Sequence, residues 1–202
     1  MTGIIDYGVG NLFSLSSSMA AIGAETVITG DKDVLASCDR IILPGVGAFE
    51  DAIARLRAPG LDVFLHEQAE AGKPIMGICL GMQLLFEESY EYGCHKGLGL
   101  LRGKVVPMAG VIPEDFKIPH MGWNSLDIVR DHPLLANTKN GEHMYFVHSY
   151  YATDCEDSVI ATADYGAPLC AAVGKGNICG AQFHPEKSGT AGLQMLRAFV
   201  EM

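Results

Sequence analysis

The chain has 202 residues and carries 14 Lys and Arg against 24 Asp and Glu, a formal net charge of −10 at pH 7. Hydrophobic residues make up 49% of it, which is enough for one packed core and excludes a disordered chain. So acidic a chain lacks the basic surface of a nucleic-acid-binding protein. Only 19% of the residues are charged, so we expect an apolar surface that a partner covers.

Strand and helix signals alternate along the first half. The predicted strands are residues 2–6, 25–29, 40–43 and 74–78, and the predicted helices are residues 11–22, 33–36, 49–57, 62–71 and 82–88. In the first helix, Leu12, Leu15 and Met19 recur at helical spacing and Asn11 is the expected cap. This alternation predicts a mostly parallel central sheet with helices on both faces.

The second half is richer in strands, which predicts a more antiparallel region. The predicted strands are residues 104–106, 125–129, 144–147, 159–163, 169–173 and 178–183. A closing amphipathic helix is predicted at residues 188–200, with Leu193, Leu196 and Phe199 on one face. No linker or repeat interrupts the chain, so we expect a single α/β domain over residues 1–202.

A candidate nucleophile lies directly after the fourth predicted strand. Cys79 stands between Gly77 and Gly81 where a buried strand meets a helix, which is the context of a nucleophile elbow. The helix dipole favours a thiolate at its N-terminus, and the Leu80 amide would face a developing oxyanion. A buried structural cysteine is the plainer interpretation of the same residues.

A histidine and a glutamate two residues apart supply the expected partners. His184 and Glu186 flank Pro185 at the end of the last predicted strand, so both side chains should point the same way. A thiolate needs a histidine as acid and base, and a carboxylate orients that histidine. The glycine-rich turn Gly45-Val46-Gly47 follows the third strand at the same sheet edge and is the expected second half of an oxyanion hole.

Two longer motifs contain these residues, GICLGMQ at 77–83 and QFHPEKS at 182–188. Together they resemble the class I glutamine amidotransferases, which have a Cys–His–Glu triad on a three-layer, flavodoxin-like α/β fold. Further motifs are similar to those of the glutaminase subunits of imidazole glycerol phosphate synthases: IDYGVGNL at 5–12, PGVGAF at 44–49, PHMGWN at 119–124 and YFVHSY at 145–150.

The resemblance implies a reaction and a partner. The chain would hydrolyse L-glutamine to glutamate and ammonia through a cysteinyl thioester. The ammonia would pass to a (β/α)8-barrel cyclase subunit in a heterodimer. That subunit would form imidazole glycerol phosphate and AICAR from phosphoribulosyl-formimino-AICAR-phosphate, in histidine biosynthesis.

The resemblance also implies roles for individual residues. Gly47, Gln83 and Glu91 would bind the amino-acid end of glutamine, with backbone contacts from Ser149 and Tyr150. His120, Trp123, Asn124, Tyr145 and Lys187 would lie at the interface or the rim of the site. We further expect the Gly45–Val46 peptide to reorient when the partner binds, so that its N–H points at the oxyanion; a β-branched residue at Gly45 would test this.

Three other functions stay open at this stage. The nearest alternative is a paralogous glutaminase that supplies ammonia for bacterial surface sugars, which the chain alone discriminates poorly. The others are a non-catalytic partner-binding module on the same scaffold, against which the intact Cys79, His184 and Glu186 argue, and a thiol hydrolase or peptidase with the same elbow. We expect no cofactor, because the adjacent Cys94 and His95 lack metal-ligand spacing. We also expect a cytoplasmic protein, with neither a signal peptide nor a membrane-spanning segment and with six unpaired cysteines.

Overall fold

A computed structural model describes residues 1–202. The strands are β1 (Thr2–Ile5), β2 (Thr26–Thr29), β3 (Arg40–Leu43), β4 (Ile75–Ile78), β5 (Glu88–Ser89), β6 (His95–Lys96), β7 (Lys104–Pro107), β8 (His120–Ser125), β9 (Asp127–Ile128), β10 (His143–His148), β11 (Tyr150–Thr153), β12 (Val159–Asp164), β13 (Pro168–Lys175) and β14 (Ile178–Ala181). The helices are α1 (Leu12–Ala21), α2 (Lys32–Ser37), α3 (Phe49–Arg57), α4 (Leu61–Glu70), α5 (Leu80–Leu84) and α6 (Gly189–Glu201). Two short 3₁₀ turns cover Pro133–Leu135 and Pro185–Lys187.

The central sheet has eight strands in the order β2-β1-β3-β4-β14-β13-β12-β9. The first five are parallel to one another, and the last three continue the sheet in antiparallel fashion. Two smaller sheets lie outside it, the hairpin β10-β8 and the four strands β11-β7-β5-β6. The predicted architecture, parallel first and antiparallel later, is therefore confirmed.

The core is divided by the sheet into two apolar layers. Neighbouring residues of a strand point to opposite faces, so Ile5 and Ile41 belong to one layer and Ile4 and Ile42 to the other. Helices α3, α4 and α5 cover the first layer, and α1 and α6 cover the second. Both faces of the parallel strands are thus buried, which explains why their sequences are almost wholly apolar. The longest helix has 13 residues, and none is long and apolar enough to cross a membrane.

The helix predicted at residues 82–88 was misplaced. Helix α5 begins at Leu80 and ends at Leu84, and Glu88 already belongs to β5. The following loop ends the helix early, because the backbone N–H of Leu98 donates to the carbonyl of Leu84. The next two carbonyls, those of Leu85 and Phe86, accept from Leu101 and Gly99 in the same way.

Strand β8 was largely missed, since the prediction placed a strand at residues 125–129. The structure instead pairs residues 120–125 with β10 over their whole length, from His120 opposite His148 to Ser125 opposite His143. The PHMGWN segment contains Gly122 with φ +130° and exposed Met121 and Trp123. Its extended form is therefore set by cross-strand pairing rather than by local propensity.

Candidate active site

Cys79 lies at a sharp turn between β4 and α5. Its φ and ψ are 55° and −114°, a strained conformation for a residue with a side chain. The flanking glycines are required by close backbone approach. A Cβ on Gly77 would lie 2.6 Å from the Met82 nitrogen, and one on Gly81 would lie 1.9 Å from the Leu43 carbonyl oxygen. The turn therefore presents the sulfur at the carboxyl end of the sheet and at the N-terminus of a helix.

Strand order brings His184 to Cys79. Strand β14 is the parallel neighbour of β4, with Ala181 opposite Ile78, and the Cys79 N–H donates to the Ala181 carbonyl at 2.7 Å. The chain then turns so that His184 Nδ1 lies 2.8 Å from Glu186 Oε1, and both side chains are 3% exposed. Since Glu186 holds Nδ1, the Nε2 atom of His184 is the one free to exchange a proton with Cys79.

The environment of His184 favours its charged form. Burial by itself lowers the pKa of His184, but hydrogen bonds and charges from Cys79 and Glu186 outweigh it and raise the pKa to about 9. The imidazolium is thus stabilised next to the sulfur. This is the charge state that a thiolate–imidazolium pair requires.

This raised pKa predicts a pH dependence of stability. Between pH 6.5, the ordinary value, and pH 9 the folded protein holds a proton on His184 that the unfolded chain has released. The stabilisation is complete below pH 6.5 and is lost as the pH rises through 9, by up to roughly 3 kcal/mol. Urea unfolding at pH 6.5 and 9.0 should show this decline in the wild type and not in His184→Asn. An equal decline in both proteins would contradict it.

The turn after β3 is the predicted oxyanion side of the site. Tyr7 donates its hydroxyl to the Pro44 carbonyl at 2.7 Å, and burial raises the pKa of this phenol. Gly45 packs directly on the first turn of α5, and the N–H of Val46 has no acceptor within the protein. The amides of Val46 and Leu80 therefore lie on two elements that meet beside Cys79.

Gly45 is restricted by packing rather than by its backbone angles. A Cβ there would lie 2.6 Å from the Gly81 nitrogen and 3.0 Å from the Leu80 Cβ. A β-branched residue at Gly45 would therefore displace the turn whether or not a peptide reorients, and the experiment suggested by the sequence is unsuitable. Gly47 has φ +96° and open space around it, so it gives the turn its conformational freedom.

We accordingly expect Gly45→Ala to destabilise the fold. Overpacking of this kind costs about 1–3 kcal/mol, and the displaced turn should also lose the oxyanion contact. Denaturant unfolding measures the first effect, and glutamate release from glutamine measures the second. An unfolding free energy within about 0.5 kcal/mol of the wild type would show that the turn moves aside without cost.

A cavity of about 570 Å³ opens over the sulfur and the imidazole. It is lined by two residues of the predicted oxyanion hole, Val46 and Leu80, but not by Gly45. All five residues of the predicted glutamine site line it, namely Gly47, Gln83, Glu91, Ser149 and Tyr150. Glu91 is held in place because its Oε2 accepts the N–H of Phe49 at 2.6 Å, at the start of α3. Gln83 donates to the Tyr150 carbonyl at 3.1 Å and to Gln182 Oε1 at 2.9 Å.

Comparison with known proteins identifies the family. Residues 3–202 match glutamine amidotransferase class-I. The chain is 51% identical over 203 residues to the imidazole glycerol phosphate synthase subunit HisH of Geobacillus kaustophilus, covering 99% of this chain and 96% of the relative. It is 50% identical over 205 residues to the same subunit of Bacillus velezensis, covering 100% and 96%. The chain belongs to the class I glutamine amidotransferases, in the HisH family.

A solved structure supports the fold of this glutamine amidotransferase. The structure of PurLQS from Thermotoga maritima aligns with a TM-score of 0.78 at 22% identity, covering 99% of this chain and 97% of that one. This likeness concerns the fold alone, whereas the family predicted from the sequence motifs is confirmed by the family match and by the relatives.

The residues predicted for the interface of this amidotransferase differ in exposure. Trp123 is 57% exposed and Lys187 is exposed, whereas Asn124 and Tyr145 are half-buried. The Trp123 and Tyr145 rings meet edge to face, with centroids 6.1 Å apart. His120 is only 3% exposed, so it lies beneath the surface and not on it.

Sequence reasoning missed two residues beside the triad of the amidotransferase. Tyr7 holds Pro44, as described above, and Gln182 places its Nε2 atom 3.8 Å from Cys79 Sγ. Tyr7 lies in the IDYGVGNL motif and Gln182 in the QFHPEKS motif, but neither side chain has the nucleophilic or acid–base chemistry that identified Cys79 and His184. No sequence signal marks Gln182, because its approach to Cys79 depends on the pairing of β14 with β4, in which Ala181 lies opposite Ile78.

Proposed function

We propose that the chain hydrolyses L-glutamine with Cys79, His184 and Glu186, and delivers the ammonia to a (β/α)8-barrel cyclase subunit for imidazole glycerol phosphate formation. One observation carries the catalytic part. A cysteine on a strained turn and a buried, ion-paired histidine open together into one cavity that also holds Glu91. The names of the relatives, subunits of imidazole glycerol phosphate synthase, support the pathway.

The first half of the reaction forms a thioester. The Cys79 thiolate attacks the side-chain amide carbon of glutamine, and the oxyanion is held by the Leu80 amide and by an amide of the Gly45–Gly47 turn. His184 then gives its proton to the amide nitrogen. The carbon–nitrogen bond breaks, ammonia leaves, and the acyl group stays on the sulfur.

The second half returns the enzyme to its starting state. His184, now neutral, takes a proton from a water molecule that attacks the thioester carbon. The carbon–sulfur bond breaks, and the new carboxylic acid leaves and gives its proton to the solvent to become glutamate. The proton taken from water remains on His184 beside the thiolate. Glu186 stabilises the imidazolium in both halves, because its Oε1 stays on Nδ1.

The cavity supplies groups for the amino-acid end of the substrate. Glu91 carries the negative charge that the α-ammonium of glutamine requires. Its hydrogen bond from Phe49 fixes the carboxylate in place, and Gln83 lies against the Tyr150 backbone on the other side. The backbone groups of Gly47, Ser149 and Tyr150 complete the wall of the cavity.

Exposed apolar side chains on residues 118–123 offer a surface for the partner. Met121 and Trp123 on β8 are 64% and 57% exposed, and Ile118, which lines the cavity, is 44% exposed. These apolar groups make a suitable contact surface for the cyclase. Docking there would shield the cavity from water, so that ammonia reaches the acceptor before it is protonated. We propose that the reaction takes place in the cytoplasm, a compartment that keeps cysteines reduced, as the six free cysteines favour.

The deciding experiment is glutamate release from L-glutamine, by this subunit alone and with the cyclase subunit of the same organism plus its nucleotide substrate. The proposal expects strong stimulation by the partner and formation of imidazole glycerol phosphate. No glutamate in either condition, with a folded protein and a complex verified by gel filtration, would overturn it. Glutamate release stimulated only by an amidotransferase for surface sugars would move the chain to that other pathway.

A further inference from the structure

Two buried histidines outside the triad face each other across the hairpin β8-β10. His120 and His148 are opposite in register, are 3% and 7% exposed, and place Nδ1 of His120 3.1 Å from Nε2 of His148. His148 also lines the cavity over Cys79. Neither ring forms a hydrogen bond with Cys79, His184 or Glu186.

The direction of each hydrogen bond follows from one backbone carbonyl. His148 Nδ1 lies 2.9 Å from the Tyr150 carbonyl oxygen, which only accepts, so this nitrogen carries the proton. In a neutral ring Nε2 of His148 is then an acceptor, and His120 must donate to it from Nδ1. The remaining nitrogen of His120, Nε2, accepts from Asn124 Nδ2 at 3.3 Å.

Stacking holds the His120 ring in place, and burial keeps both histidines uncharged. His120 is stacked between Phe146, with centroids 4.8 Å apart and planes 18° apart, and Tyr165, at 4.0 Å and 22°. Burial lowers the pKa of both histidines to about 4. At neutral pH each ring therefore has one donor and one acceptor, and every one of these is used.

The hydrogen bonds that run from Asn124 through His120 and His148 end at the backbone of Tyr150, which lines the cavity. The Tyr150 carbonyl accepts from both His148 Nδ1, at 2.9 Å, and Gln83 Nε2, at 3.1 Å. Two donors from different elements thus fix the Tyr150 carbonyl, and with it the Tyr150–Tyr151 peptide where β11 begins. The position of that peptide sets where Tyr150 stands at the wall of the cavity.

At their other end, these hydrogen bonds begin at Asn124 on β8, the strand that also carries the exposed side chains of Met121 and Trp123. Asn124 Nδ2 also donates to the Asp164 carbonyl at 2.7 Å, which ties β8 to the end of β12. Alternate residues of β8 point inward and outward, so His120 and Asn124 face in while Met121 and Trp123 face out. Contacts on the outer face therefore act on the same strand that carries the inner hydrogen bonds.

We propose that Asn124, His120 and His148, here called the histidine relay, are positioning residues that hold the Tyr150 backbone for glutamine binding and connect it to the outer face of β8. The relay rests on the proposed function, because its target is the glutamine cavity. It makes the affinity for glutamine depend on a strand that contacts the partner, without any direct contact between partner and substrate.

Kinetics on the complex with the cyclase subunit test the proposal. His120→Phe keeps a ring between Phe146 and Tyr165 but leaves His148 Nε2 unpartnered. We expect KM for glutamine to rise by about tenfold, the effect of one buried unsatisfied group, with kcat changed by less than about threefold. His120→Asn, which retains a donor at the Nδ1 position, should recover most of the KM. Tyr165→Phe, which loses only the hydroxyl bond to the Lys117 carbonyl, is the matched control and should leave KM unchanged.

An unchanged KM in folded His120→Phe, or a loss in kcat alone, would overturn the relay. A second measurement does not depend on any variant. Nitrogen-15 NMR of histidine-labelled wild-type protein should find both rings as the Nδ1–H tautomer, as the relay requires. A proton on Nε2 of His148 would refute it. If the wild-type complex releases no glutamate, the proposed function fails, while the tautomers still decide whether the relay exists.

Discussion

Replacement of Cys79 by alanine should abolish glutamine hydrolysis, with kcat in the presence of the partner lowered by about 10⁴-fold or more. The reason is that no other nucleophile lies at the turn after β4, and without sulfur no thioester can form. Glutamate release with saturating glutamine measures the effect. Cys94→Ala is the control, because Cys94 is an exposed thiol in a loop outside the cavity, and it should retain wild-type activity. Cys79→Ala activity within tenfold of the wild type would exclude the thioester mechanism.

A glycine at the same position separates catalysis from folding. Cys79 has φ 55°, where glycine is not strained but alanine is. Both variants lack the sulfur, so both should be inactive. Cys79→Gly should nevertheless be about 1–2 kcal/mol more stable than Cys79→Ala in urea unfolding. Equal stabilities would mean that the turn relaxes when the sulfur is removed.

The second large effect is expected for Glu186→Gln. The amide cannot stabilise the imidazolium, and it also presents either oxygen or nitrogen to Nδ1 of His184, so the correct tautomer is no longer enforced. Glu186 is one of the two residues that raise the pKa of His184, the other being Cys79, so loss of its charge should lower that pKa. We expect kcat to fall by about 10³–10⁴-fold, with a smaller change in KM.

Steady-state kinetics across pH 6–9 check this prediction. Glu201→Gln is the matched control, since Glu201 is an exposed residue at the end of α6 and should behave as the wild type. A Glu186→Gln variant whose kcat stays within about threefold of the wild type would show that His184 needs no carboxylate for its orientation.

The parallel half of the fold was predictable because its signals are local. Residues 40–43 and 49–57 were placed at the bounds that β3 and α3 occupy, since apolar runs and amphipathic spacing there agree with tertiary burial. Residues 120–125 were not recognised as a strand, because only pairing with β10 makes them one. The prediction for helix α5 was displaced because the loop at residues 97–101 takes the carbonyl of its last residue and the two carbonyls that follow.

The candidate site divides in the same way. Cys79, His184 and Glu186 stand in short motifs whose chemistry is visible in the residues themselves. Tyr7, Gln182 and the histidine relay depend on hydrogen bonds between residues far apart in the chain. His120 was expected at the interface, and the structure instead buries it directly beneath that surface. Such contacts cannot be predicted from the sequence alone, because they depend on how the strands are arranged in the fold.

The position of β14 in the sheet has a consequence during synthesis on the ribosome. Strands β1 to β4 emerge first and can pair, but the neighbour of β4 on its other side is β14, which ends at Ala181. Until it arrives, β4 keeps an open edge that favours pairing with other chains. The same insertion delivers His184, so a partly made chain cannot release ammonia. An incomplete chain is therefore prone to associate with other chains through the free edge of β4. It cannot hydrolyse glutamine at this stage, because His184 is not yet in place.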